Sequence, residues 1–200
     1  MQEDQYLTIS SESRGLYKEK GSKFIAIAFQ ANSTEEVKSY LESVKKQFHD
    51  ARHHCYAYRL GSEPYEIRYN DDGEPSGTAG KPIFGQIQSF DLTNILIVVI
   101  RYFGGVKLGT GGLIQAYRTA ARSALEKGKI ITKTWNVFAE LRFDYAQMDQ
   151  VMRIIKEEGL EIVSQDSYED CNIVLEIRKG NLENVKNKIS FIEKLAWKVI

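Results

Sequence analysis

Three short stretches hold the residues that could do chemistry. Arg101 to Gly112 reads RYFGGVKLGTGG, with glycines at Gly104, Gly105, Gly109, Gly111 and Gly112. Glycine loses more conformational freedom on folding than any other residue. A loop this rich in it belongs where something approaches the backbone closely or where positive φ is required. The stretch runs into a helical pattern, and the free N–H groups and dipole of a helix start favour an anion. Arg101 and Lys107 add positive charge. One reading is an anion or phosphate-backbone site; the other is a tight turn that lets the helix lie flat on a sheet. The spacing matches neither G-x-x-x-x-G-K-S/T nor G-x-G-x-x-G, so neither nucleotide fingerprint applies.

His53, His54 and Cys55 form the second stretch, and Asp71, Asp72 and Glu74 the third. Adjacent strand residues point to opposite faces, so His53 and Cys55 share one face and His54 takes the other. A zinc site needs more ligands than this triplet can aim at one point, so no metal is expected. The acids could bind a cation or exchange protons; equally, Asp-Asp-Gly is turn chemistry. Together, His53 or His54, Asp71, Asp72 and Glu74 are the candidate catalytic groups. His53 or His54, Asp72 and Glu74, facing Arg101, Lys107 and the glycine loop across one cleft, would form a hydrolytic or phosphoryl-transfer site.

Charge distribution decides between these uses better than total charge does. The 200 residues carry 27 basic and 27 acidic side chains, a net charge of zero, so no global field announces a nucleic acid. Locally, Arg101 to Lys133 holds seven basic residues against Glu126 alone, whereas Glu63 to Glu74 holds five acids against Arg68. An RNA-facing surface therefore belongs on the central loop and the helix after it. Its expected members are Arg101, Gly104, Gly105, Lys107, Gly109, Thr110, Gly111, Gly112, Arg118 and Arg122. The alternative is that the helix's cations are simply its solvated face. Tyr56, Tyr58, Tyr65, Tyr69, Tyr102, Phe103 and Tyr117 are interleaved with basic residues. Such aromatics either stack on bases or pack in a core, and packing is the commoner outcome.

The elements that must position these groups follow from periodicity. Lys20 to Gln30, His53 to Leu60, Glu66 to Tyr69 and the apolar run Ile95 to Ile100 read as strands. Ser33 to Phe48 reads as a helix with a Ser33–Glu36 capping box and Val37, Tyr40, Leu41, Val44 and Phe48 on one face. Pro82 to Gln88 reads as a short helix and Leu113 to Lys127 as a longer one that stops at Gly128. The pattern then restarts. Trp135 to Phe143 is a strand, and Tyr145 to Glu158 a helix with Met148, Val151, Met152 and Ile155 inward. Leu160 to Ser167 and Asp170 to Arg178 form a hairpin. Asn181 to Ile192 is a helix and Ala196 to Ile200 a last strand. This is βαββαβ, the ferredoxin-like motif. The fold class is therefore α+β in two domains, 1–132 and 133–200.

No apolar run approaches the roughly 20 residues of a membrane span. The acidic start MQEDQYLTIS does not resemble a signal peptide. Cys55 and Cys171 lack metal spacing and read as buried, reduced thiols. A cytoplasmic protein with no cofactor and no membrane partner is expected.

His53 to Leu60 (HHCYAYRL), Asp71 to Pro82 (DDGEPSGTAGKP), and Arg101 to Gly112 followed by LIQAYRTAA resemble the signature of the YigZ/IMPACT family. The remainder is similar to the small C-terminal domain of its bacterial two-domain members. One departure is Gln115, where the family tends to carry Arg, leaving one positive charge fewer on that helix. The resemblance implies a first domain with a ribosomal-protein and elongation-factor-like sheet covered on one face by helices. It implies a second domain similar to the ferredoxin-like domains of elongation factor G. Members with eukaryotic extensions regulate translation by blocking activation of a stress kinase through that kinase's activator; bacterial members have no settled activity. The expected function is binding, with the ribosome, RNA or a translation-factor protein as partner. A hydrolase or phosphotransferase built on the His, Asp and Glu cluster is the alternative, and a protein-interaction module the third reading.

Overall fold

The structure, a computed structural model, describes residues 4–167 and 170–200; the first residues and the turn of the expected 160–178 hairpin fall partly outside these. It is an α+β chain that divides into two compact units, Leu7–Thr132 and Lys133–Ile200 together with 4–6. Five helices and eleven strands are present among the described residues. None of those helices is long and apolar enough to cross a membrane.

In the first unit a five-stranded antiparallel sheet has β2 (Ser13–Glu19) and β5 (Glu66–Asn70) at its edges. Between them lie β3 (Ser22–Gln30), β6 (Ile95–Tyr102) and β4 (His53–Leu60), in that order. β6 is central, and all its residues but Tyr102 are buried. Alternation splits its side chains between two cores. Ile95, Ile97 and Val99 join Phe24, Ala26, Cys55 and Ala57 under α2 (Gly80–Ser89) and α3 (Gly109–Lys127). Leu96, Val98 and Ile100 join Ile27, Phe29, Tyr58 and Leu60 under Val37 and Val44 of α1 (Thr34–Gln47).

Helices therefore cover both faces of this sheet, which corrects the expectation of one covered face. The physical reason is visible in β6 itself: an unbroken apolar run needs an apolar partner on each side. α1 starts as expected at Ser33, whose Oγ accepts the Glu36 N–H at 3.2 Å. Glu36 in turn accepts the backbone N–H of Asn32 at 2.8 Å.

Three strands, β1 (Gln5–Ile9), β2 and β7 (Ile130–Thr134), do not follow from the sequence pattern. β1 pairs with β7 in a separate two-stranded ladder. β2 alternates buried and exposed positions, but its apolar residues are few, so its period is faint.

The second unit contains β8 (Asn136–Phe143), α4 (Met148–Glu158), β9 (Glu161–Ser167), β10 (Cys171–Arg178), α5 (Leu182–Ile189) and β11 (Ala196–Val199). Its sheet order is β11-β8-β10-β9 with every neighbour antiparallel, the ferredoxin-like arrangement. Val151, Ile154 and Ile155 of α4 and Val185 and Ile189 of α5 cover one face. Met152, expected inward, is exposed, and Ile154 takes its place. A 3-10 turn at Tyr145–Gln147 precedes α4, whose buried stripe lies at 151, 154 and 155.

Candidate functional site

The site is assembled from adjacent strands. β4 pairs with β6 so that His53 stands opposite Arg101. β4 also pairs with β5, which leads into the turn carrying Asp71, Asp72 and Glu74. His53 and Cys55 lie on the face under α2 and α3, and His54 points to the α1 side, where its Nε2–H donates to the Phe48 carbonyl at 3.0 Å.

Each acid has a definite partner. The Asp71 carboxylate accepts the backbone N–H groups of Gly77 (2.9 Å), Ala79 (2.9 Å) and Gly80 (2.8 Å). Because Ala79 provides no side-chain cap, Asp71 caps α2 from outside the helix. Asp72, at φ 42°, accepts the His54 N–H on Oδ2 at 2.6 Å, and its carbonyl accepts His53 Nδ1–H at 2.8 Å. Glu74 is buried, and its Oε1 accepts Arg101 Nη1–H at 2.6 Å and the Tyr117 hydroxyl at 2.8 Å. His53 Nε2 lies 4.0 Å from the same oxygen, beyond hydrogen-bond reach.

Cys55 Sγ completes the cluster, 3.0 Å from the Asp71 carbonyl and 3.3 Å from the Tyr117 hydroxyl. Burial pushes the Cys55 thiol well above its ordinary range, and also raises Tyr117, whose proton stays on the ring oxygen. The guanidinium of Arg101 lies 5.5 Å from the Phe24 ring and 5.6 Å from Phe103. A small cavity of about 270 Å³ opens beside His53, Arg101 and Phe103. Among the described residues, no three His, Cys, Asp or Glu side chains are grouped to hold a metal ion.

The structure thus brings His53, Glu74 and Arg101 together. It spends Asp71 on a helix cap and Arg101 on an ion pair. Arg101 is 7% exposed and therefore does not share the solvent face of the remaining anion candidates. Those candidates lie elsewhere. Gly104 donates its N–H to Ser22 Oγ at 3.1 Å. Beyond it, Gly105, Lys107, Gly109, Thr110 and Gly111 are exposed. Among the described residues no side chain caps α3, and its first turn contains no acid. Gly111, Arg118 and Arg122 follow at helical spacing on one exposed face of α3, and Gly112 packs toward Leu108.

Tyr117 is the member of the cluster that sequence reading placed only among possible stacking aromatics. Its signal is a phenol inside the apolar stripe Leu113, Ala116, Ala120 and Ala121, where a buried hydroxyl requires a partner. Of the seven aromatics read as stacking candidates, Tyr58 and Tyr117 are buried, and Tyr69 and Phe103 are exposed.

A family model described as the Impact N-terminal domain matches residues 20–125. An IMPACT family member of Haemophilus influenzae is 32% identical over 90% of this chain and 88% of its own. The IMPACT family member YigZ of Escherichia coli is 36% identical over 74% of this chain and 73% of its own. A crystal structure described as that of a hypothetical protein superposes with a TM-score of 0.75 at 28% identity, covering 98% of both chains.

Proposed function

The chain belongs to the IMPACT family, and on that premise we propose that it is a translation-associated binding protein that engages the RNA of the ribosome through the start of α3. One observation carries this reading: among the described residues, the exposed amino end of α3 has no side-chain cap and no acid, and glycines and Lys107 surround it. Such an end offers backbone N–H groups and a positive dipole to a phosphate. The family resemblance supplies the link to translation. In this proposal the segment 1–132 carries the site and 133–200 is a ferredoxin-like second domain.

The catalytic alternative finds less support. A general base needs a free lone pair within reach of substrate. Asp71 accepts three N–H groups and Glu74 is buried against Arg101 and Tyr117, which leaves His53 Nε2 beside the cavity, 4.0 Å from Glu74 and beyond hydrogen-bond reach of it.

Sucrose-gradient sedimentation of cell lysate tests the proposal at low and raised salt, with Lys107→Glu in parallel. The wild type is expected to travel with ribosomal particles and to be released both by salt and by the substitution. A wild type that stays at the top of the gradient in both salts rejects it.

A further inference from the structure

An open groove of about 820 Å³ runs between α2 and α3. Lys81, Arg118 and Arg122 line it, and among the described residues none of its lining side chains is acidic. α2 itself contains no acid, and the acid on α3 is Glu126, paired with Arg122 at 2.7 Å. Tyr69 and Phe84 also line the groove, their rings stacked with centroids 5.9 Å apart and planes 28° apart. Tyr69 is 48% exposed, on an edge strand where no core claims it.

Gly85, in the middle of α2, faces the same space. A Cβ there would meet no atom within 4 Å, so packing does not require glycine at this position. A glycine inside a helix weakens it relative to alanine. What the missing side chain leaves is bare backbone beside an aromatic pair, room for a flat ring to lie.

We propose that this groove binds single-stranded RNA, with bases stacking on Tyr69 and Phe84 and phosphates paired with Lys81, Arg118 and Arg122. Every base presents a π-face, so such a platform works without a sequence code, and flanking cations follow the backbone. Gln88, at the end of α2, offers amide groups to base edges. An acidic protein segment would use the three cations but would gain little from stacked rings and an empty glycine position. The proposal rests on the RNA-binding reading above and adds a second contact on the α3 face that carries Gly111.

The test is fluorescence anisotropy of a labelled oligouridylate of about twelve nucleotides against the full chain. Salt is titrated, and polyglutamate serves as competitor. The variants are Tyr69→Ala, Gly85→Leu, Arg118→Gln and Lys107→Glu. Tyr69→Ala is expected to weaken binding roughly tenfold. Gly85→Leu is expected to raise the Tm while weakening binding at least as much, a split that a merely structural role would not produce. Arg118→Gln is expected to flatten the log–log salt slope by about 0.7.

Wild-type affinity in both Tyr69→Ala and Gly85→Leu overturns the groove; if Lys107→Glu alone then abolishes binding, the reading at the start of α3 stands without it. No binding of oligouridylate by the wild type also overturns the groove, whereas the gradient experiment decides the wider reading separately. Polyglutamate that competes as well as RNA, with Tyr69→Ala silent, makes this an acidic-protein surface and overturns the proposal too.

Discussion

Glu74 holds two elements by one oxygen: Arg101 from β6 and Tyr117 from α3 both donate to Oε1. Both charged partners are buried, with side chains 4% and 8% exposed, so water cannot replace the carboxylate if it is removed. Glu74→Ala is expected to cost about 3–5 kcal/mol in urea unfolding, because a buried guanidinium is left without its counter-charge. Glu74→Gln, which keeps an acceptor for Tyr117, is expected to cost less. Equal stability of wild type and Glu74→Ala would show that the pair is dispensable. The sequence suggests one cleft with His53 or His54, Asp72 and Glu74 facing Arg101, Lys107 and the glycine loop; of these, the structure groups His53, Glu74 and Arg101. The neutralisation of Arg101 is not legible in the chain, because it depends on the loop after β5 folding Glu74 back beside β6, which charge type alone does not encode.

At the scale of elements, the glycine-rich loop contains two different kinds of glycine. A Cβ on Gly104 would lie 1.8 Å from the Gly21 carbonyl carbon and 2.1 Å from the Ser22 nitrogen, so the loop is packed backbone to backbone against the turn before β3. A Cβ on Gly111 would meet nothing within 4 Å. Gly104→Ala is therefore expected to destabilise by at least about 1–3 kcal/mol through overpacking. Gly111→Ala is expected to be neutral or to stabilise α3 by up to about 1 kcal/mol. Thermal melts of the two variants compare them directly, and equal losses would remove the distinction.

The sequence of this loop allows a structural and a functional use of its glycines; the geometry assigns the first to Gly104 and leaves Gly111 open. Strongly periodic elements such as α1 and β4 were legible in the chain. β1, β2 and β7 were not, because strands of five to seven residues with mixed polarity leave too short a pattern to separate from a loop.

For the molecule as a whole, two successive α+β patterns were readable because each repeats strand and helix periods around its own core. The membership of residues 4–6 was not, since it depends on a backbone bond from Trp135 N–H to the Asp4 carbonyl and on a side-chain pair 174 residues apart. Arg178 donates to Asp4 at 2.5 and 2.9 Å, and this guanidinium holds the Asp4 carboxyl below its ordinary value of 3.8. A carboxyl depressed by folding contributes stability above its unfolded pKa, and that contribution is lost as pH falls through the folded value. The unit built on β8 to β11 is therefore expected to lose stability as pH falls below about 3.8. Asp4→Asn is expected to make that decline shallower, followed by circular dichroism across an acid titration. An unchanged acid profile would show that the pair does not couple folding to protonation.

β5 also bears on how copies of the chain meet one another. All five of its residues are exposed, and one side of the strand is an open sheet edge. Unpaired N–H and C=O groups in such a row are a template for a strand from another molecule. Long-range repulsion does not guard it, since the net charge is zero at pH 7. The guard is local: Glu66 and Arg68 place opposite charges along the edge, and an intruding strand would have to strip both of water. Apolar residues at those two positions would turn β5 into a nucleus for aggregation, most readily near neutral pH.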